Sequence, residues 1–429
     1  MTQAAVVGSL VRRLPFFYGW VILACVCLAS IARTGPAVAT LSLFVEPMTG
    51  EFGWSRTALS GAVSLGGVLA ALSSPYIGGL LDRSGPRLIL CAAVITTSVT
   101  ILLLSQINSL VAFYALFCIA RLNFAGPFDL GIYGAVSNWF VARRALATSL
   151  VTLAGMAGLV IMPLIGYFAM QSHGWRGGWL AVGTAVLVIG LLPCWLLLVR
   201  RPEDLGLLPD GAVAATVASD ATAARAKAAP AEEPDFTRGE AMRTRAFWML
   251  ALFTAMVYPV QAGVSLHQAA HLVESGLSPA IVVSTVTVFS LGSAALGLAF
   301  GGLIRWIGVR ASLVLTGAFL AAGAGIMATV ATPTQAMIAA TLFGMGVGGM
   351  HTVLPVAWAD YFGRKNYGAI RGVSLTIQVT AQAAGPLLSG VLRDVSGNYL
   401  LSLGCFTAFA CLSMLAGLLV KAPAALRRH

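Results

Sequence analysis

The chain has 429 residues, 58% of them hydrophobic and 10% charged, with a mean hydropathy of +0.88 and a formal net charge of +11. Soluble globular chains are usually about 45–50% apolar and about 25% charged, so this composition excludes a water-soluble globular protein and calls for lipid as solvent. The basic residues sit in short clusters between apolar runs, a pattern that orients a chain in a membrane and does not build a nucleic-acid surface.

Arg12 and Arg13 precede the first apolar run. That run is too long for a signal peptide and has no small-residue cleavage site, so it is expected to remain as a span. Twelve apolar segments are predicted, at approximately 17–45, 57–80, 88–105, 110–138, 145–170, 178–199, 246–271, 280–304, 311–330, 335–359, 372–392 and 399–420. Each is near the ~20 residues that a helix needs to cross ~30 Å of hydrocarbon. Alternating polar–apolar strands are absent from the pattern, and lipid leaves no backbone group free, so the spans are helices. The seven cysteines lie in or beside the apolar runs, without metal or disulfide spacing, and read as small buried hydrophobes.

Residues 202–245 differ. The Ala-, Pro- and charge-rich stretch that follows "RPEDLGLLPDG" cannot bury a face and reads as a mobile cytoplasmic linker between residues 1–201 and 246–429. The two parts repeat. At an offset of about 223, Pro36 aligns with Pro259, Glu51 with Glu274, Gly78 with Gly301, Arg87 with Arg310 and Gly174 with Gly397. A fixed period over the whole chain marks a duplicated unit. The expected fold is all-α, with twelve transmembrane helices as two pseudo-symmetric six-helix bundles around a central cavity.

With the N-terminus in the cytoplasm, 21 of the 26 Lys and Arg residues fall on the cytoplasmic side. Three (Arg56, Arg176, Arg393) fall outside, and Arg33 and Arg121 fall inside spans. The bias predicts that both termini and the linker are cytoplasmic.

Gly78, Asp82, Arg83, Gly85 and Arg87 in "GGLLDRSGPR" match, residue for residue, the G-x-x-x-D-R-x-G-x-R loop of the major facilitator superfamily. The chain resembles that family over about residues 16–420, apart from the linker. The resemblance implies that this loop latches the two halves in the outward-open state. Glycines permit close packing and a tight turn, and Asp82 can hold an arginine or a helix N-terminus across the interface. The second copy, "GGLIRWIGVR", keeps Arg310 but has Arg305 in place of the aspartate, so its latch is expected to be weaker.

A finer resemblance is to the oxalate/formate antiporter and monocarboxylate transporter branch. It rests on "FYGWVILA" (17–24), "EFGWSRTALSGA" (51–62), "HGWRGGWL" (173–180) and "RRPEDLGLLPDG" (200–211). The branch often carries an arginine in helix 8, and some members carry a lysine in helix 11. Here 280–304 and 372–392 hold no charge. Met162 precedes Pro163 where the drug-antiporter signature of helix 5 has glycine.

Polar groups within the spans carry the chemistry. An ionised group at depth costs on the order of 2.5–3.5 kcal/mol or more and by default marks a functional site. Arg33 and Arg121 are expected to bind the acidic group of a solute, with Asn123, Tyr133 and Gln378 lining the cavity. Arg121 and Asp129 are eight residues apart, ~12 Å along a helix and ~80° around it, so they cannot pair directly. Asp129 must look to another helix or to water. Asp129 and His351 are 222 apart, the repeat offset, and are expected to face one cavity and couple to protons. His267 and His271 have i, i+4 spacing, but no third ligand accompanies them, so no metal is expected.

No nucleophile–base pair and no G-x-x-x-x-G-K-[ST] loop appears, so neither an enzyme nor ATP drive is expected, and no cofactor. Two classes stay open: a secondary transporter of a small organic solute, and a non-transporting sensor on the same fold. Within the first, proton-coupled uptake of an organic anion leads. A neutral or aromatic compound, as in vitamin-like uptake or drug-like export, is the alternative. The protein is expected to be a monomer in a bacterial inner membrane, with solute, protons and lipid as its partners.

Overall fold

Long apolar runs dictate helices, and among the described residues ten helical stretches are long and apolar enough to cross a bilayer. The computed structural model describes residues 7, 11, 13–211 and 234–423. Residues 212–233 of the predicted linker and the terminal residues 424–429 lie outside that set.

Helices α1 (Gly19–Arg33) and α2 (Val38–Phe52) make the first crossing. The sequence pattern had predicted one run here. Gly35 and Pro36 break it, because proline has no N–H to continue the ladder. The Thr34 carbonyl turns instead to Ala37 N at 3.0 Å and Thr40 Oγ1 at 2.9 Å. Next come α3 (Arg56–Ser84) and α4 (Pro86–Leu104). Then α5 (Leu110–Ala125) and α6 (Pro127–Trp139) form one crossing broken at Gly126, with Pro127 starting α6.

Helix α7 (Arg144–Leu197) has 54 residues. Straight, it would be about 80 Å long, more than twice the hydrocarbon thickness. It doubles back at Gly174, where φ is 62°, and brings Gly166 against Val182. After the short α8 (Arg238–Arg243) comes α9 (Arg245–Glu274). Helix α10 (Pro279–Ala328) doubles back at Gly308, so that Phe300 and Thr316 both border Gly349. The chain closes with α11 (Pro333–Phe362), α12 (Tyr367–Ser396) and α13 (Leu400–Leu419). With two of the ten stretches folded back, the fold is the twelve-crossing, two-bundle architecture.

The bundles meet mainly through α3 with α12 and α7 with α10. A Cβ on Gly78 would lie 2.0 Å from the Gly368 carbonyl oxygen, so only glycine lets α3 and α12 approach this closely. At the repeat-related position, Gly301 packs on Leu146 and Ser149.

The predicted linker takes structure at both described ends. Pro202–Leu205 forms a 3₁₀ turn, and Pro202, Phe236 and Ala241 are buried. The reason is polar as well as apolar. Asp210 accepts the N–H groups of Val141, Ala142 and Arg143 at 2.9, 2.7 and 3.0 Å. Asp235 accepts from Lys365 Nζ at 2.9 Å, and Phe236 N donates to the Phe362 carbonyl. Each end of the linker thus secures the same inter-helix loop in one bundle. On the opposite side, Trp175 Nε1 and Arg176 Nη1 donate to Glu51, and Arg393 donates to Glu274 at 2.9 Å.

Candidate substrate and coupling site

Asp129 lies in the first turn of α6, where the helix N-terminus favours a carboxylate. The break at Gly126 also frees the Phe124 carbonyl, which accepts from Arg33 Nε at 2.8 Å. Arg33 reaches Asp129 Oδ2 through Nη1 at 3.3 Å. From the second bundle, Arg371 Nη2 reaches Asp129 Oδ1 at 3.2 Å. The expected partner on another helix is therefore found twice. Arg371 is held further by Ser374 Oγ at 2.8 Å and Gln378 Oε1 at 2.6 Å, and its side chain is 1% exposed.

Arg121 lies beside this triad. Its guanidinium carbon is 4.3 Å from the centre of the Phe124 ring, and that of Arg33 is 4.8 Å from the same centre. The stem of Arg121 rests on Gly66. Arg121 Nε is buried without a hydrogen-bond partner, and no carboxylate lies within ion-pair distance of this arginine among the described residues. Two cations converge on one aromatic ring, and one has an unused donor.

The expectation that Arg33 and Arg121 are the only cations within the spans is corrected. Arg371 and Arg144 are also buried, at 1% and 3% exposure. Hydropathy placed the start of helix 11 at residue 372, whereas α12 begins at Tyr367. Tyr133 is one turn beyond Asp129 and buried, and Gln378 joins the cluster through Arg371. Asn123 turns the other way: its Nδ2 donates to Thr96 Oγ1 at 2.8 Å, inside the first bundle. His351 is half-buried, its ring 6.2 Å from that of Tyr258, and its carbonyl accepts from Thr152 Oγ1 at 3.5 Å.

The loop motif forms a closed contact on the linker side. Asp82 accepts Gly368 N at 2.8 Å and Ala369 N at 2.7 Å, the first N–H groups of α12. Of the two partners open to Asp82, the helix N-terminus is the one that it holds. Gly85 has φ 82°, and the Arg200 stem lies against it while Arg200 Nη2 donates to the Asp82 carbonyl. Arg87 Nη2 donates to the Trp195 carbonyl at 2.8 Å, and at the repeat-related position Arg310 donates to Leu418. Arg83 and Arg305 are exposed. Among the described residues the second copy makes no carboxylate latch. In its place Arg144 pairs with Asp360, and Arg364 spans Asn138 O at 2.9 Å and Glu203 Oε1 at 2.6 Å. Arg144, Arg200, Asp210, Asp360 and Arg371 escaped the sequence reading, because each sits in a loop or helix-end cluster that orientation alone explains.

Two apolar six-helix bundles that enclose a charged cluster and close on one side by a helix-end latch define a membrane transporter. A family model described as Major Facilitator Superfamily matches residues 22–280, and the chain belongs to that superfamily. It is therefore a multi-pass membrane protein and a transporter, and not an enzyme. Monocarboxylate transporter 11 of Mus musculus is 26% identical over 400 residues, 89% of this chain and 83% of that one. The oxalate:formate antiporter of Oxalobacter formigenes is 25% identical over 392 residues, 86% of this chain and 85% of that one. The solved proton:xylose symporter XylE, bound to 6-bromo-6-deoxy-D-glucose, shares the fold with a TM-score of 0.67 at 14% identity, covering 94% of this chain and 96% of that one.

Proposed function

We propose that the protein is a secondary active transporter that takes up a small organic anion, a carboxylate, by alternating access coupled to protons. One observation carries this reading: Arg121 lies beside Arg33 on the Phe124 ring with no carboxylate of its own. Arg33 and Arg371 share a single acid, Asp129, and Arg121 lies beside Arg33, so the cluster holds two positive charges in excess when all are ionised. Guanidinium stays charged at any working pH and offers forked donors that match a carboxylate. An arriving anion relieves that excess where lipid and bulk water cannot. The names of the monocarboxylate transporter and the oxalate:formate antiporter support the same solute class.

Asp129 and His351 serve as the proton-coupling groups, Asp129 because it is the acid on which both bundles converge. Tyr133 and Gln378 complete the site. Gly78, Asp82, Arg83, Gly85 and Arg87, with Arg305 and Arg310 in the second copy, form the gate. Residues 1–201 and 246–429 act as the two moving bodies, joined by the 202–245 linker. The protein works as a monomer in a bacterial inner membrane, with the latch, the linker and both termini in the cytoplasm.

Titration of purified protein with simple carboxylates tests the solute class. Arg121→Gln and Arg33→Gln should each weaken acid binding by about tenfold or more, the scale of a lost charge-assisted contact. A neutral ligand that binds both variants as tightly as the parent, with no acid competing, would instead establish the neutral-solute reading.

A further inference from the structure

The first turns of α12 hold the first bundle at two depths. At the surface, Gly368 and Ala369 donate to Asp82 on α3. Two residues further, Arg371 donates inward to Asp129 on α6. Both contacts belong to one stretch of one continuous helix, so a displacement of that helix end acts on both.

The inner contact is demanding. The Arg371 side chain is 1% exposed, out of contact with bulk solvent. Ser374 and Gln378 are neutral and belong to α12 itself. Asp129 is the one carboxylate that reaches this guanidinium among the described residues. The other ionisable groups that face Asp129 are Arg33 on α1, Tyr133 on α6, Tyr258 on α9, His351 on α11 and Tyr367 on α12. None of these is an acid that can replace Asp129 at neutral pH.

We infer that Arg371 is the positioning residue through which the charge state of Asp129 reaches the Asp82 latch. A proton from water on the side opposite the linker adds to an Asp129 carboxylate oxygen. Arg371 is then a buried cation without a counter-charge, a state that costs several kcal/mol. It is relieved when the start of α12 moves towards linker-side water. That motion carries Gly368 and Ala369 away from Asp82 and opens the linker side. Loss of the proton restores the pair and with it the latch. This assignment rests on the reading of Asp129 as the coupling group, and it requires no particular solute.

Spin labels at Leu88, near the start of α4, and Trp306, beside the Gly308 fold-back of α10, both exposed on the linker side, report the separation of the bundles once the exposed Cys411 is replaced by serine. The test uses the full chain in lipid nanodiscs without solute, so an error in the solute class leaves it unaffected. Asp129→Asn should raise the ratio of wide to narrow separations by about a hundredfold or more, the low end of what a stranded buried charge imposes. Adding Arg371→Gln should return the distribution to that of the parent, because α12 then carries no stranded charge; Arg33, which also loses its carboxylate, belongs to the first bundle and is held to Phe124 within it. A residue with a merely structural role would give a double variant at least as open as the single one, and that result overturns the inference. So does an unchanged distribution in folded Asp129→Asn. Where Asp129→Asn does not fold, acidification of the parent replaces it. The parent should widen more than the double variant, which retains His351, Asp82 and the surface groups but lacks the Asp129–Arg371 pair. Equal widening of the two refutes the assignment.

Discussion

Replacement of Gly78 by alanine adds one methyl group where backbone meets backbone. The added Cβ would lie 2.0 Å from the Gly368 carbonyl oxygen, and ordinary contact begins at 3.4 Å. Neither atom is on a flexible side chain, so α3 and α12 must separate by about 1.4 Å. Asp82 holds Gly368 N and Ala369 N at 2.8 and 2.7 Å, and the same displacement takes both beyond hydrogen-bonding range. Hydrogen bonds to a charged group contribute about 1.5–3 kcal/mol each, so the closed linker side loses at least about 3 kcal/mol, roughly a hundredfold in population. Ser74, buried at the α3–α12 contact, is the reporter position. Ser74→Cys should react slowly with a membrane-permeant maleimide in the parent and up to about a hundredfold faster with Gly78→Ala. An unchanged rate in a variant that melts like the parent would show that the glycine approach does not hold the bundles together.

Other outcomes follow from the same contacts. Asp360→Asn removes the carboxylate that pairs with the 3%-exposed Arg144 and should weaken the closed state, read as a higher protease or thiol-reagent sensitivity on the linker side. Asp210→Ala leaves three loop N–H groups without their acceptor and should lower thermal stability by about 1–2 kcal/mol, measured by calorimetry. Glu51→Gln, in an ion pair about 40% exposed on both sides, should leave the melting temperature close to that of the parent. Reporter fusions at Ala228 and after His429 should give cytoplasmic signals, and a periplasmic signal at either reverses the orientation.

The spans were legible because a run of about twenty apolar residues has few fates besides a membrane helix. The latch was legible because Gly78, Asp82 and Gly85 must occur together for a backbone to approach and a carboxylate to cap. Asp129 could be assigned a partner on another helix by helical geometry, but not which one: Arg371 is 242 residues away along the chain, and nothing local distinguishes it from a loop cation. Hydropathy treats an arginine beside a span as its border, whereas a facing carboxylate draws it inside. The direction of Asn123 was not legible for a related reason. Depth can be counted along a helix, but the direction of a side chain around it depends on neighbours such as Thr96. The break at 34–37 was written in Gly35 and Pro36 and was obscured by the apolar residues around it.

The interruptions at 34–37 and at Gly126 have a mechanical meaning. Both fall in the first bundle, beside Arg33 and just ahead of Asp129. The related helices of the second bundle, α9 and α11, are each continuous for 30 residues, with Pro259 and Pro355 accommodated inside them. Unbroken hydrogen-bond ladders resist bending, and interrupted ones flex at the gap. The two bundles are thus a compliant body and a stiff body joined in series. Under one load the softer member takes most of the deformation. A load across the site is therefore expected to bend the first bundle at these gaps and to leave the second nearly straight.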